Sequence, residues 1–116
     1  MRTYLVAGDS KGWEMIERPD PTPGPGEVVV AVRAVSLNFR DFMIVHGVYP
    51  LALKPDLVPC SDGAGEVVAV GPGTTLWKVG DRVMGSFVQG WEAGPIVAAA
   101  HQNALGGSAD GMLTQY

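Results

Sequence analysis

The side chains in this sequence that could do chemistry stand in two groups. Asn38, Phe39, Arg40 and Asp41 are consecutive, His46 and Tyr49 come close behind, and Cys60, Ser61 and Asp62 form a second run. His46, Cys60 and Asp62 offer the nitrogen, sulfur and oxygen donors that zinc accepts. Their spacing matches no metal-binding motif, and no metal site is expected. Cys60 is the sole cysteine, so no disulfide can close within the chain, and it reads as a small core residue. Tyr49, in Gly47-Val48-Tyr49-Pro50, carries a phenol able to hand a proton to a carbanion or enolate. The alternative is a half-buried loop tyrosine with no chemical role. Arg40 and Asp41 could form a local ion pair of little energetic value, while Asp41 suits a second duty, bracing a helix start.

These groups need elements to hold them. Phe39, Phe42, Met43 and His46 repeat at helical spacing. Asn38 can cap that helix and Gly47 can end it, which predicts a short helix. Just upstream, residues 27–35 form the best strand. Val28, Val29, Val30, Val32 and Val35 are β-branched, and the near-continuous apolar run predicts burial on both faces or a barrel wall. Residues 3–7 and 13–18 predict two strands that can pair as a hairpin across Gly8-Asp9-Ser10-Lys11-Gly12. Pro19-Asp20-Pro21-Thr22-Pro23-Gly24-Pro25-Gly26 excludes helix and reads as a stiff surface connection.

After the helix, residues 48–58 read as a loop. Residues 65–71 and 81–85 read as strands, with a turn at Pro72-Gly73-Thr74-Thr75. Gly71-Pro72-Gly73 matches half of a dinucleotide fingerprint, but the third glycine is missing and no amphipathic helix follows, so it is a turn and not a phosphate cradle. Asp81 reads as a turn residue whose carboxylate holds backbone N–H groups. Residues 89–111 are rich in glycine and alanine with little strand signal, His101 among them is expected to be exposed, and residues 112–116 begin a strand.

Composition sets the outer bounds. A chain of 116 residues suits one domain, residues 1–116. With 47% hydrophobic and 17% charged residues it is globular. A net charge of −4 with no Lys/Arg run excludes a nucleic-acid partner. No secretory h-region opens the chain and no apolar run reaches bilayer length, so no membrane partner is expected and a cytoplasmic setting is. Sixteen glycines and nine prolines chop the chain into short segments, as a mainly β fold requires.

Three segments, in this order, resemble the start of the medium-chain dehydrogenase/reductase superfamily. They are Gly26-Glu27-Val28-Val29-Val30 through Asn38-Phe39-Arg40-Asp41, then Pro59-Cys60-Ser61-Asp62-Gly63-Ala64-Gly65-Glu66-Val67-Val68-Ala69-Val70-Gly71, then Lys78-Val79-Gly80-Asp81-Arg82-Val83. The resemblance implies a GroES-like, partly open β-barrel with short helices. In that superfamily a Rossmann domain follows and the cofactor lies between the two, so the chain is expected to stop before the Rossmann domain. Zinc-dependent alcohol dehydrogenases carry Cys-x-x-Asp where this chain has Asn38-Phe39-Arg40-Asp41, and Gly-His-Glu where it has Cys60-Ser61-Asp62. The chain therefore resembles the zinc-free branch of quinone oxidoreductases, enoyl reductases and related dehydrogenases.

That resemblance implies NAD or NADP as cofactor, no zinc, a small-molecule substrate and a homo-oligomeric full-length enzyme. Hydride would pass to or from a carbonyl, quinone or activated alkene, and the fragment alone would be inactive. It implies that Asn38 orients the nicotinamide or the substrate carbonyl, that Phe39 and Arg40 contact the cofactor, with Arg40 reaching a phosphate, and that Tyr49 lines the substrate pocket as a proton donor. The competing expectation is a free-standing GroES-like binding or assembly module, with its Gly-rich residues 85–111 as a docking loop. A chain cut inside this domain is expected to leave an unpartnered strand edge and some exposed apolar surface, whereas a stand-alone module is expected to finish its last strand.

Overall fold

The computed structural model describes residues 1–7 and 12–116. The turn expected at Gly8-Asp9-Ser10-Lys11-Gly12 falls largely on residues 8–11, outside the described residues. The chain is mainly β. Strands β1 (Arg2–Val6) and β2 (Trp13–Glu17) are followed by β3 (Val28–Ser36), helix α1 (Phe39–Val45), β4 (Asp62–Val70), β5 (Arg82–Met84) and a 3-10 helix at Ala98–Asn103. They make two small sheets and no closed barrel: β1 with β2, and β3-β4-β5 in that order. No helix among the described residues is long and apolar enough to cross a membrane.

The hairpin forms as its alternating residues predict, antiparallel, with Arg2 opposite Glu17 and Val6 opposite Trp13. In β3 the valine run is not buried on both faces: Val29 and Ala31 are buried while Val28, Val30 and Val32 are half-buried. Its partner β4 begins three residues before the strand start expected at residue 65, because Ser36, Val35 and Ala34 pair with Asp62, Gly63 and Ala64. Gly63 and Gly65 weaken the local strand signal. Gly65 is nonetheless required, since a Cβ there would strike the Ala31 carbonyl.

Residues 111–115 stitch the two sheets together. Leu113 N–H donates to Pro59 O at 3.1 Å and Met112 N–H to Cys60 O at 2.7 Å. On the other side Tyr4 N–H donates to Leu113 O at 3.1 Å, Gln115 N–H to Arg2 O at 3.0 Å, and Val32 N–H to Gln115 O at 2.9 Å. The buried hydroxyl of Thr3 meets that of half-buried Thr114 at 2.9 Å. The core lies under this seam: Val29, Ala31, Ile44, Leu57, Val58, Cys60, Val67, Val88 and Ala104.

The helix expected at residue 39 is present, and Gly47 closes it with φ +66°. Its aromatic stripe faces outward, however. Phe39 is 74% and Phe42 56% exposed, stacked on each other at 5.7 Å, while the buried members of the helix are Asp41 and Ile44. An edge at β5 and exposed Met84 and Leu76 match the expected unpartnered surface. The residues 71–75 form the expected turn, where Thr74 donates to Gly71 O and to Glu27 O. At Asp81, the Lys78 ammonium and backbone N–H bond the carboxylate and hold its pKa below the usual range.

Gly111 is the tightest point of the seam, since a Cβ there would collide with the backbone of Pro59 and Cys60. Gly111→Ala is expected to destabilise the fold by about 1–3 kcal/mol through forced backbone displacement. Urea denaturation of the two chains checks this, and an unchanged midpoint would show that the seam yields freely.

Candidate functional site

The start of α1 is built around one carboxylate. Asp41 is 2% exposed. Its Oδ2 accepts the Asn38 N–H at 2.9 Å, and its Oδ1 accepts the Cys60 N–H at 3.0 Å. The first bond satisfies an otherwise unpaired donor at the helix start. The second ties that start to a loop 19 residues away in sequence. Asp41 thus braces the helix as its position predicts, and no ion pair within 4.0 Å joins it to Arg40 among the described residues.

Fixing residue 60 against residue 41 brings Ser61 and Asp62 beside Asn38. Asn38 Nδ2 donates to Asp62 Oδ2 at 2.6 Å, and Ser61 Oγ donates to the same oxygen at 3.0 Å. A longer contact of 3.4 Å joins Asn38 Nδ2 to Ser61 Oγ. Asn38 occupies the N-cap position with φ −118° and ψ 158°, but its amide nitrogen is committed to Asp62, so the side chain does more than cap. The sequence singled out Asn38 alone. Ser61 and Asp62 stood out only as replacements for metal ligands, and nothing in their spacing announced that they would share a hydrogen-bond cluster with it.

A second cluster forms one helical step on. Arg40 Nε donates to Tyr49 Oη at 2.9 Å and Nη1 donates to Leu105 O at 2.8 Å. Its guanidinium carbon lies 5.1 Å from the Tyr49 ring centroid and 4.9 Å from that of Phe87, within the range of cation–π attraction. Tyr49 is a half-buried loop residue that is also bonded to a charged partner. Phe87 and Leu105 carried no signal in a glycine-rich stretch without periodicity. Phe39 lies exposed, and the His46 ring lies tilted against Phe42 with centroids 4.3 Å apart. Among the described residues no three His, Cys, Asp or Glu side chains converge as a metal site would need.

Cys60 lies between the clusters, fully buried and with φ +72°. Burial, with the negative charges of Asp41 and Asp62 adding to it, pushes its thiol pKa up from 9.0 to about 12. It is a core residue, as expected. Clefts of about 510 and 360 Å³ run along β3, lined by Val28, Trp77 and Met84 in the first and by Arg2, Tyr4 and Arg33 in the second. Neither is lined by Asn38 or Tyr49.

The sequence profile of the alcohol dehydrogenase GroES-like domain matches residues 24–116. A zinc-type alcohol dehydrogenase-like protein of Schizosaccharomyces pombe is 42% identical over 97% of this chain. An acryloyl-coenzyme A reductase of Metallosphaera sedula is 38% identical over 72% of it. The chain spans only 34% and 25% of the length of those two relatives. Among solved structures, a Sinorhizobium meliloti protein assigned as an alcohol dehydrogenase superposes on 98% of the chain with a TM-score of 0.85 and 33% identity, and the chain covers 35% of it.

Two outcomes follow from the buried groups. Asp41→Asn replaces one acceptor oxygen by a donor that faces an N–H, which is expected to cost about 1–3 kcal/mol, read by urea denaturation; an unchanged stability would remove Asp41 from its bracing role. For Cys60 the folded chain holds the thiol proton more tightly than the unfolded chain. Its contribution is therefore complete below pH 9 and is lost as pH rises from 9 towards about 12. The stability difference between the native chain and Cys60→Ala should shrink across that window, and a difference independent of pH would contradict the burial of the thiol.

Proposed function

This chain belongs to the alcohol dehydrogenase GroES-like domain family, and from that premise we propose that it forms the substrate-side part of a zinc-independent, NAD(P)-dependent oxidoreductase. The observation that carries the proposal is the Asn38–Ser61–Asp62 cluster. Zinc needs free nitrogen, sulfur or carboxylate donors. Here an amide and a hydroxyl stand beside a single carboxylate, Asp62, whose Oδ2 accepts from both, and one carboxylate alone does not make a zinc ligand set. These residues do not fit zinc, and no step of the reaction runs through a metal.

A nicotinamide bound against this face would supply or accept the hydride. The chain's own residues do the rest. Asp62 accepts from the Asn38 amide and so holds that carboxamide in one orientation, a fixed polar group for the nicotinamide or for the substrate carbonyl. Exposed Phe39 offers a flat apolar surface next to it. Tyr49 gives its phenolic proton to the carbon or oxygen left electron-rich by hydride addition to a small carbonyl, quinone or activated alkene. Inactivity of residues 1–116 alone belongs to the same proposal.

The test uses the coding region that contains this chain together with whatever follows Tyr116 in the source DNA. NADH and NADPH oxidation is measured with an enone, a quinone and an aldehyde, with and without a strong chelator. Turnover unaffected by the chelator is expected, and Tyr49→Phe should lower kcat by roughly 10²-fold or more, as loss of a general acid does. Chelation that abolishes turnover, with zinc restoring it, would overturn the zinc-independent reading. An unimpaired Tyr49→Phe would remove the tyrosine from the chemistry.

A further inference from the structure

We propose that Arg40 is the positioning residue of Tyr49: it fixes the ring and leaves the phenol's own proton free for a ligand. This rests on the reading of Tyr49 as the proton donor. The argument begins with hydrogen-bond inventory. A guanidinium has donors and no acceptor, so in the 2.9 Å contact between Arg40 Nε and Tyr49 Oη the phenol can only accept. Its O–H must therefore point elsewhere, and no other hydrogen bond to Oη forms among the described residues. A half-buried tyrosine bonded to a carbonyl would have its proton tied down, whereas this one keeps it. The cation beside Oη also offsets the negative charge that grows there as the proton leaves.

Arg40 is itself held on three sides. Nη1 bonds the Leu105 carbonyl at 2.8 Å, Phe87 packs its ring 4.9 Å from the guanidinium carbon, and Gly107 leaves room where a Cβ would strike the guanidinium. Leu105 and Gly107 come from the low-signal stretch 89–111, and Phe87 from just before it. One role of that stretch is to set the arginine, which in turn sets the tyrosine. Lysine cannot do this, because a single ammonium lacks the rigid fork that serves Tyr49 and Leu105 together. An arginine engaged in this way acts on the phenol, so its loss should appear in turnover and not in cofactor affinity.

Incorporation of 3-fluorotyrosine gives one ¹⁹F resonance for each of Tyr4, Tyr49 and Tyr116, with Tyr49→Phe assigning the second. In the 116-residue chain, Arg40→Met should shift and broaden the Tyr49 resonance while those of Tyr4 and Tyr116 stay sharp, which also reports an intact fold. Arg40→Lys should do the same, and it serves if the methionine variant does not fold. A Tyr49 resonance unmoved by either substitution overturns the proposal. In the product of the coding region that contains this chain, assayed for NAD(P)H oxidation as above, Arg40→Met should lower kcat roughly 10-fold or more with KM for the nicotinamide cofactor unchanged, and should cost nothing further in a Tyr49→Phe background. Equal losses in both backgrounds would make Arg40 merely structural and overturn the proposal. If Tyr49→Phe is itself fully active, the assignment of Tyr49 as acid fails, and the resonance experiment alone decides whether Arg40 positions it.

Discussion

The arrangement depends on one buried carboxylate. Asp41 lies on the inward face of α1 and accepts two backbone N–H groups, one at the head of its own helix and one at Cys60. A buried carboxylate is costly unless its oxygens are bonded, so the two bonds hold each other in place. They also fix the roll of the helix. With Asp41 and Ile44 turned inward, the aromatic stripe has to face out. Asn38 and Arg40, on either side of that inward direction, are left half-buried.

The same bond sets the backbone at residue 60. Cys60 takes a left-handed conformation, φ +72°, which a cysteine adopts only under constraint. Three bonds hold it there: its N–H is taken by Asp41, its C=O by Met112, and the neighbouring Pro59 C=O by Leu113. Beyond this turn the chain enters β4, and Ser61 and Asp62 emerge facing Asn38. The polar cluster thus follows from a backbone that two distant segments clamp. Gly111 and Gly106, with no Cβ to obstruct, let those segments approach.

Around Arg40 the logic differs. The charge is half-buried and no carboxylate neutralises it within salt-bridge distance among the described residues. It is satisfied by a carbonyl, a phenol and two aromatic faces, which compensate a weakly hydrated guanidinium better than they would an ammonium. The outward stripe of Phe39 and Phe42 and the cation Arg40 lie on one short helix of seven residues. The helix serves less as a core element than as a platform for side chains.

The sequence by itself determined the strands that carry β-branched runs, the helix after Asn38, the turn at residues 71–75, and the bracing role of Asp41. Each of these rests on local patterning, where propensity, capping and glycine placement act within a few residues. It also marked Asn38, Arg40 and Tyr49 by their resemblance to a known pattern. Tertiary structure alone decided that the aromatic stripe faces solvent, that β4 starts at Asp62, and that Ser61, Asp62, Phe87 and Leu105 join the site. Periodicity gives the width of an apolar face but not its direction, which a polar residue bound in the core can reverse. The contacts that complete the site link residues 38 with 62 and 40 with 105, and such pairings are fixed by how the chain closes on itself, not by any local preference.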